Sequence, residues 1–501
     1  MNHLITADRL YDYIQCPHKV WRDVYGPQEE KIEETNPFVR LLWNKGVRHE
    51  KKVVAGIGKY TDISRGGLKE RKARTIRAIM RGDELIFHGL LQHENLGGEP
   101  DLLEKLPDGD YLPIDIKAGM GLENVHENDT GRCKKSYAVQ LCLYAEILRK
   151  LGFFSGDQGL IIDINEDPVE YFLDKPMGVK TPQTWQGYYQ EIKGEVDDLV
   201  HNRKTNLPAR CGICKLCPWY GSCKKWWKKT DDLTNIFYLG RNTRDIISRD
   251  LHIETVKKLS GLDVKAALVL KRDNERFLSG VGEKTMEKLV ARANVIVNRK
   301  KPVIYEKIDL PATALDLFFD IEADPTQDLV YLHGVYERRA DGRKKFLGFV
   351  AENNTAKAEK AAWRDFWRYI HSLPQDDFAV YYYSPYEKVS YRKMQRKYPE
   401  VISASELRRF FAHPHVIDLY DSILKKTDWP LSNFSIREIA VYLGFNWRDK
   451  TPSGALSIQW YNKYLETRDP EILKRILEYN EDDCKATMVI KDFLCRQKPD
   501  Q

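Results

Sequence analysis

Leu315-Asp-Leu-Phe-Phe-Asp-Ile-Glu322 is the most informative stretch in a chain of 501 residues. Side chains alternate along a strand, so Leu315, Leu317, Phe319 and Ile321 share one face and Asp316, Phe318, Asp320 and Glu322 the other. A strand this apolar belongs inside a sheet, yet it ends on two acids of one face. Carboxylates so placed are the oxygen donors that hard divalent cations take. Far downstream, Asp469-Pro470 gives an N-cap with proline at the first helical position. The helix it opens carries Tyr479 and Asp483 one turn apart on one side. Between these points, Val380-Tyr-Tyr-Tyr-Ser-Pro-Tyr-Glu387 leads from an apolar strand to an acid, and Val416-Ile-Asp418 offers an alternative one.

Upstream of this α/β pattern, Arg299 to Pro311 reads as a connector. Residues 231–300 are charged, helical and broken by short turns, as in a small all-helical module. The first 230 residues mix helical and strand patterns and suggest another α/β domain. Thr6 is an expected N-cap, and Asn36-Pro37 is expected to cap and open a helix through about Val54. The expected organisation is therefore α/β multidomain, with domains at 1–230, 231–300 and 312–501 and a linker at 301–311. The length, near three times the ~150-residue prior for one domain, agrees. No window holds the ~18 apolar residues of a membrane span. Acids and polar residues occupy the N-terminus where a secretory signal has its apolar core, so the expected location is cytoplasmic. The net charge of +6 permits a nucleic-acid partner, and Cys223-Lys-Lys-Trp-Trp-Lys-Lys229 mixes cations with aromatics that can stack on bases.

In Tyr111-Leu-Pro-Ile-Asp-Ile-Lys117, Asp115 and Lys117 share a strand face. Asp101 comes beside Asp115 if its segment pairs with this one across Leu106-Pro-Asp-Gly-Asp110. Two such carboxylates can hold Mg²⁺ or Mn²⁺ while the lysine positions a water. Four of the nine cysteines crowd into Cys211-x₂-Cys214-x₂-Cys217-x₅-Cys223, which argues for metal ligation over disulfides. A local four-thiolate zinc site completed by Cys211 is one reading. Leu278-Ser-Gly280-Val-Gly282-Glu-Lys284-Thr lacks phosphate-loop spacing, which disfavours an ATPase.

Gly46-Val-Arg-His49, the Asp101 segment, Asp115-x-Lys117 and Gln140-x₃-Tyr144 follow in the order of RecB-type PD-(D/E)xK nucleases, which the first 225 or so residues resemble. The resemblance implies a restriction-endonuclease-like fold, with His49, Asp101 and Asp115 as metal ligands, Lys117 as the catalytic lysine, and Gln140 and Tyr144 lining the active site. Pro100 before Asp101 departs from the familiar motif. Cys16, in Gln-Cys16-Pro, resembles the lone N-terminal cysteine of the iron–sulfur members. By that likeness a [4Fe–4S] cluster sits on Cys16, Cys214, Cys217 and Cys223, with Cys211 a neighbouring thiol. The glycines around Val281 look like a helix-hairpin-helix turn, which implies DNA-phosphate contacts at Gly280, Gly282 and Lys284.

The order Asp320-x-Glu322, an intermediate acid, then Tyr479-x₃-Asp483 resembles the DEDD exonucleases of RNase H-like fold. That likeness implies four carboxylates holding two metal ions about 4 Å apart, with Tyr479 orienting water. Glu387 fills the intermediate place, where aspartate is usual, and Asp418 is the alternative. Taken together, the likenesses imply a metal-dependent nuclease acting on single-stranded or end-containing DNA, in a setting such as DNA repair, with one site a 3′–5′ exonuclease. Two other readings stay open: a nucleic-acid-binding scaffold of a repair or defence complex with inert sites, and a zinc-stabilised RNA-processing nuclease.

Overall fold

The computed structural model describes residues 3–32, 37–123, 131–178, 181–274, 276–374 and 377–499. Contacts divide the chain into two compact units, Met1–Trp226 and Trp227–Gln501.

The first unit is built on a six-stranded sheet in the order Thr61–Asp62, Leu85–Phe87, Leu102–Lys105, Tyr111–Ile116, Gln158–Ile162, Pro168–Phe172. Leu102–Lys105 pairs antiparallel with Tyr111–Ile116, Leu102 opposite Ile114, as a turn through Leu106–Asp110 requires. Tyr111–Ile116 then pairs parallel with Gln158–Ile162, and parallel neighbours need a crossover. Helix Lys135–Leu151 makes it, and Leu141, Leu143, Ala145, Ile147 and Leu148 are wholly buried. A helix apolar nearly all round has to lie within a core. Thr6 caps helix Ala7–Gln15 by accepting from the backbone N–H of Arg9. Helix Pro37–Gly56 opens at the expected proline, while Asn36 lies outside the described residues. The two ends of this unit are fastened together. Trp219 Nε1 donates to Asp23 (2.9 Å), Arg22 Nη2 to Ser222 (2.8 Å), and the Ile32 N–H to the Pro218 carbonyl (3.0 Å).

The second unit carries a five-stranded sheet in the order Lys344–Val350, Leu329–Arg339, Leu315–Asp324, Phe378–Tyr382, Val416–Asp418. The first three are antiparallel, and the last two join parallel to Leu315–Asp324. Leu315, Leu317, Phe319 and Ile321 pack in a core with Trp363, Phe366 and Trp367 of helix Ala356–His371. Phe318 lies in a separate core with Ala486 and Ile490 of helix Pro470–Arg496, so both sheet faces are covered.

Helices Arg241–Leu251, Val256–Ser260, Val264–Asp273 and Glu283–Asn294 share a core of their own. They belong nonetheless to the second unit. Arg292 donates to Asp428 (2.8 Å) and to the Phe237 carbonyl (2.8 Å), both charged side chains being buried. The expected connector at 301–311 also contributes to the fold, for Val303–Ile304 pairs antiparallel with Thr427–Asp428. No helix among the described residues is long and apolar enough to cross a membrane.

Candidate active sites

In the first unit, the hairpin places Asp101 beside Asp115. Asp101 Oδ2 accepts from the Ile116 N–H at 2.6 Å, and Asp115 forms an ion pair with Lys117. Burial and the Asp115 carboxylate push the Asp101 carboxyl up to about 8. Burial opposes the Lys117 ammonium, but Asp115 and Asp101 outweigh it and hold its pKa above the usual lysine value. Gln140 donates to the Tyr144 hydroxyl across one helical turn (2.8 Å), and that hydroxyl donates to the Glu99 carbonyl (3.3 Å). Asp101, Asp115, Lys117, Gln140 and Tyr144 line one cavity of about 610 Å³. Gly98 makes room there, because a Cβ on it would lie 2.6 Å from the Tyr144 ring.

Of the expected residues, His49 is buried outside the lining of this cavity, and Glu50 and His88 also lie outside it. The His49 Nε2 lies 2.9 Å from the Asp163 carbonyl. Two groups not singled out by the sequence are Glu50 and His88, whose ligand atoms lie within 4.8 Å of each other and of an Asp101 oxygen.

The expected cysteines converge. Cys211 Sγ lies 3.5 Å from Cys214 Sγ, and the Cys211 N–H donates to that same sulfur (3.2 Å). These contacts hold the Cys214 thiol below the usual cysteine value, hydrogen bonding from Cys211 outweighing burial. A hydrogen bond with Cys16 pulls the Cys211 thiol down, but its bond with Cys214 and burial prevail and push it up to about 11. Cys16 also raises Cys217 and Cys223, which burial shifts first, so all five sulfurs belong to one neighbourhood.

The glycine turn follows helix Val264–Asp273. Gly280 has φ +78, Gly282 is the N-cap of helix Glu283–Asn294, and Lys284 is exposed in its first turn. Lys271 Nζ fastens the turn by donating to the carbonyls of Leu278 (3.0 Å) and Val281 (2.6 Å).

The second unit gathers acids from three elements. Asp320 and Glu322 come from the central strand, Glu387 from the first turn of helix Pro385–Lys397, and Asp483 from helix Pro470–Arg496. Ligand oxygens of Asp320, Glu322 and Asp483 lie within 4.8 Å of one another. Burial, then Asp483, Glu322 and Glu387, drive Asp320 well above the carboxylate range, while Glu387 stands outside the set whose oxygens lie within 4.8 Å. Burial pushes Glu322 and Glu387 up to about 8 and Asp483 up to about 7. Mutually repelling buried carboxylates lose that repulsion when a cation binds among them. Asp418 is otherwise engaged, its Oδ1 capping helix Leu419–Lys426 through the N–H groups of Tyr420 (2.9 Å) and Asp421 (3.3 Å).

The groups that hold the acids in place arrive from elsewhere in the chain. Trp447 Nε1 donates to Asp483 (2.8 Å), Asn480 to Asp320 (2.7 Å) and Tyr331 to Glu322 (3.4 Å). Tyr479 hydrogen-bonds Asp483 one turn away on its own helix, and burial and the nearby acids raise its hydroxyl well above the usual tyrosine value.

A mixed sheet with acids at the end of its central strand, completed by one from a long helix, is an arrangement that could hold a metal ion. In agreement, residues 317–495 match the family model of the RNase_H superfamily. The second unit thus holds an RNase H-like domain, which implies a nucleic-acid substrate. No curated protein matches the chain.

Proposed function

We propose that the chain is a metal-dependent nuclease that hydrolyses DNA phosphodiester bonds, on single strands or at ends, with two separate active sites. The observation that carries this reading is the set Asp320, Glu322 and Asp483, with ligand atoms within 4.8 Å of one another. The donor set is all oxygen, which suits Mg²⁺ or Mn²⁺. Divalent ions held there would supply Lewis acidity and a water nucleophile. The protein's own part is to position: Asn480 fixes Asp320, Trp447 fixes Asp483, and the Tyr479 hydroxyl beside Asp483 orients the water. By its family likeness this site is a 3′–5′ exonuclease.

In the first unit, Asp101 and Asp115 hold the metal and Lys117, charged beside them, stabilises the phosphate in flight. Gln140 and Tyr144 shape the cavity. A thiolate donor set fits a [4Fe–4S] cluster on Cys16, Cys214, Cys217 and Cys223, with Cys211 as a hydrogen-bond partner of Cys214. Gly280, Gly282 and Lys284 meet a phosphate without reading bases. This organisation corresponds to a nuclease domain over 1–230, a helical module over 231–300 and an exonuclease domain over 312–501.

End-labelled single- and double-stranded DNA and RNA, incubated with Mg²⁺, Mn²⁺ or EDTA, test the reading. Metal-dependent cleavage with DNA preferred is expected. Binding without cleavage under every metal condition overturns it.

A further inference from the structure

We propose that the exposed face of helix Pro385–Lys397 is the track on which a single nucleic-acid strand reaches the acids of the second unit. The ring of Tyr386 stacks on its terminal base, and Arg392 and Lys393 meet the phosphates behind it. This rests on reading that unit as a nuclease and narrows its substrate to an unpaired end.

The helix has two faces. Glu387, Ser390, Tyr391 and Met394 are buried on one of them. Tyr391 and Met394 pack in the core with Trp363 and Phe366, and the Tyr391 hydroxyl meets His333 Nδ1 at 2.7 Å. The helix is thereby fixed to the sheet. Helical spacing puts Tyr386, Val389 and Lys393 together on the other side, with Arg392 exposed next to Lys393. Tyr386 is 48% exposed and Val389 45%. One apolar side chain in water is ordinary; here two stand one turn apart, at the end of the helix that carries Glu387.

Neighbours place the ring. Ser384 has φ 149 and ψ 165, a conformation that residues other than glycine hold only where their surroundings over-determine it. Its hydroxyl accepts from the Tyr386 N–H (3.1 Å) and donates to Glu387 (3.2 Å), so one strained turn sets the ring and the acid together. The Tyr386 hydroxyl hydrogen-bonds Ser390 and lies in the field of Glu322, Glu387 and Asp320. The polar end of the side chain is anchored near the acids while much of the rest is open to water.

Every base has a π face, so an exposed aromatic ring takes a terminal base whatever the sequence. Carboxylates repel phosphates, and a strand approaching them needs cations along its path. Lys393 lies two helical turns from Tyr386, about 10 Å along the axis. A strand whose last base rests on the ring therefore carries its earlier phosphates over Arg392 and Lys393. A paired base must first be freed from its partner, which favours an unpaired end.

The test uses the full chain carrying Lys117→Ala and Asp320→Ala, which together silence both sites. Its ligand is a single strand ending 3′ in 2-aminopurine, a base whose fluorescence falls when its face is stacked. Quenching is expected with Tyr386 and with Tyr386→Phe, which keeps the ring. Tyr386→Leu should lose the quenching and about tenfold in affinity. Replacing Arg392 and Lys393 by alanine should lower the slope of log affinity against log salt by about 2 and leave the quenching at saturation unchanged. These side chains are exposed, and thermal melts of each variant separate a lost contact from unfolding. In the Lys117→Ala chain, a single strand should be trimmed faster than a blunt duplex, and equal rates overturn the restriction to unpaired ends. Undiminished quenching in folded Tyr386→Leu, with an unchanged slope in the Arg392 and Lys393 variant, overturns the track and keeps the nuclease reading. If the Lys117→Ala chain trims neither strand nor duplex, that reading falls and the proposal falls with it.

Discussion

Asn480 donates to Asp320 Oδ2 at 2.7 Å through a gap that exists because Gly334, paired opposite Asp320 on the neighbouring strand, has no side chain. A Cβ on Gly334 would lie 1.6 Å from Asn480 Oδ1. Neither strand nor helix can yield cheaply there. Gly334→Ala should therefore destabilise the second unit by about 1–3 kcal/mol and lower its nuclease activity. Urea denaturation with a cleavage assay checks both, and a variant as stable and active as the parent contradicts the packing argument.

The two candidate sites have separate carboxylate sets, so their activities should separate. Lys117→Ala leaves every acid of the second unit and should abolish one product pattern only, retaining stepwise trimming from 3′ ends. Asp320→Ala should cost orders of magnitude in that trimming, because metal-ion catalysis supplies several kcal/mol. The double variant should bind DNA without cutting it. Product ladders on end-labelled strands decide the matter: loss of all cleavage in folded Lys117→Ala would make the second site inert or dependent on the first.

Protonation of the second unit's acids should make its metal response depend on pH. Glu322 and Glu387 are pushed up to about 8 and Asp483 to about 7, above the ordinary unfolded values near 4. In the metal-free fold these groups keep protons that the unfolded chain has released. Their contribution is full below the unfolded pKa and is lost as pH rises through the folded values. Without metal, the unit's melting temperature should fall between about pH 5 and pH 8. The increment from Mg²⁺ should grow over the same window. Differential scanning fluorimetry of the parent against Asp320→Asn measures it, and a metal increment independent of pH excludes proton release from these acids.

Cys211 and Cys214 should behave differently although they are neighbours. Cys214→Ser removes a proposed cluster ligand and should give colourless protein with a less stable first unit. Cys211→Ser should remain brown when purified anaerobically. Iron and zinc analysis of both variants checks this, and stoichiometric zinc lost on replacing Cys211 reverses the ligand choice.

Lys284 stands exposed beside the glycine turn, so Lys284→Ala should weaken DNA binding about equally across sequences. The slope of log affinity against log salt should fall by about 1. An unchanged slope means the turn does not meet phosphate. A point substitution is the cleaner test, since deleting the module would also remove Arg292 from the buried Asp428.

Local periodicity carried much of this architecture. Residues 315–322 reveal a strand and its acid face because a period of two persists even under a covered face, and Tyr479 and Asp483 reveal themselves by one helical turn. Asp101 and Asp115 are legible because a short turn joins their strands. Asn480 falls next to a singled-out residue, yet nothing local ties it to Asp320, 160 residues away. Trp447 and Tyr331 likewise gain meaning only when the chain folds. His88 reads as a residue beyond a short apolar run, and its partners Glu50 and Glu99 come from separate elements. Val303–Ile304 is too short to show any period, so its pairing with Thr427–Asp428 is visible only in three dimensions.

The bonds from Arg22, Asp23 and Ile32 to Ser222, Trp219 and Pro218 impose an order of events in the cell. Nearly two hundred residues separate the partners, about 10–40 s of synthesis at ordinary ribosomal rates. Throughout that interval the opening helices are outside the ribosome with this face uncovered. A chain released before residue 217 would never acquire the other half of the clasp, and would be a client for chaperones and proteases instead of a smaller working domain.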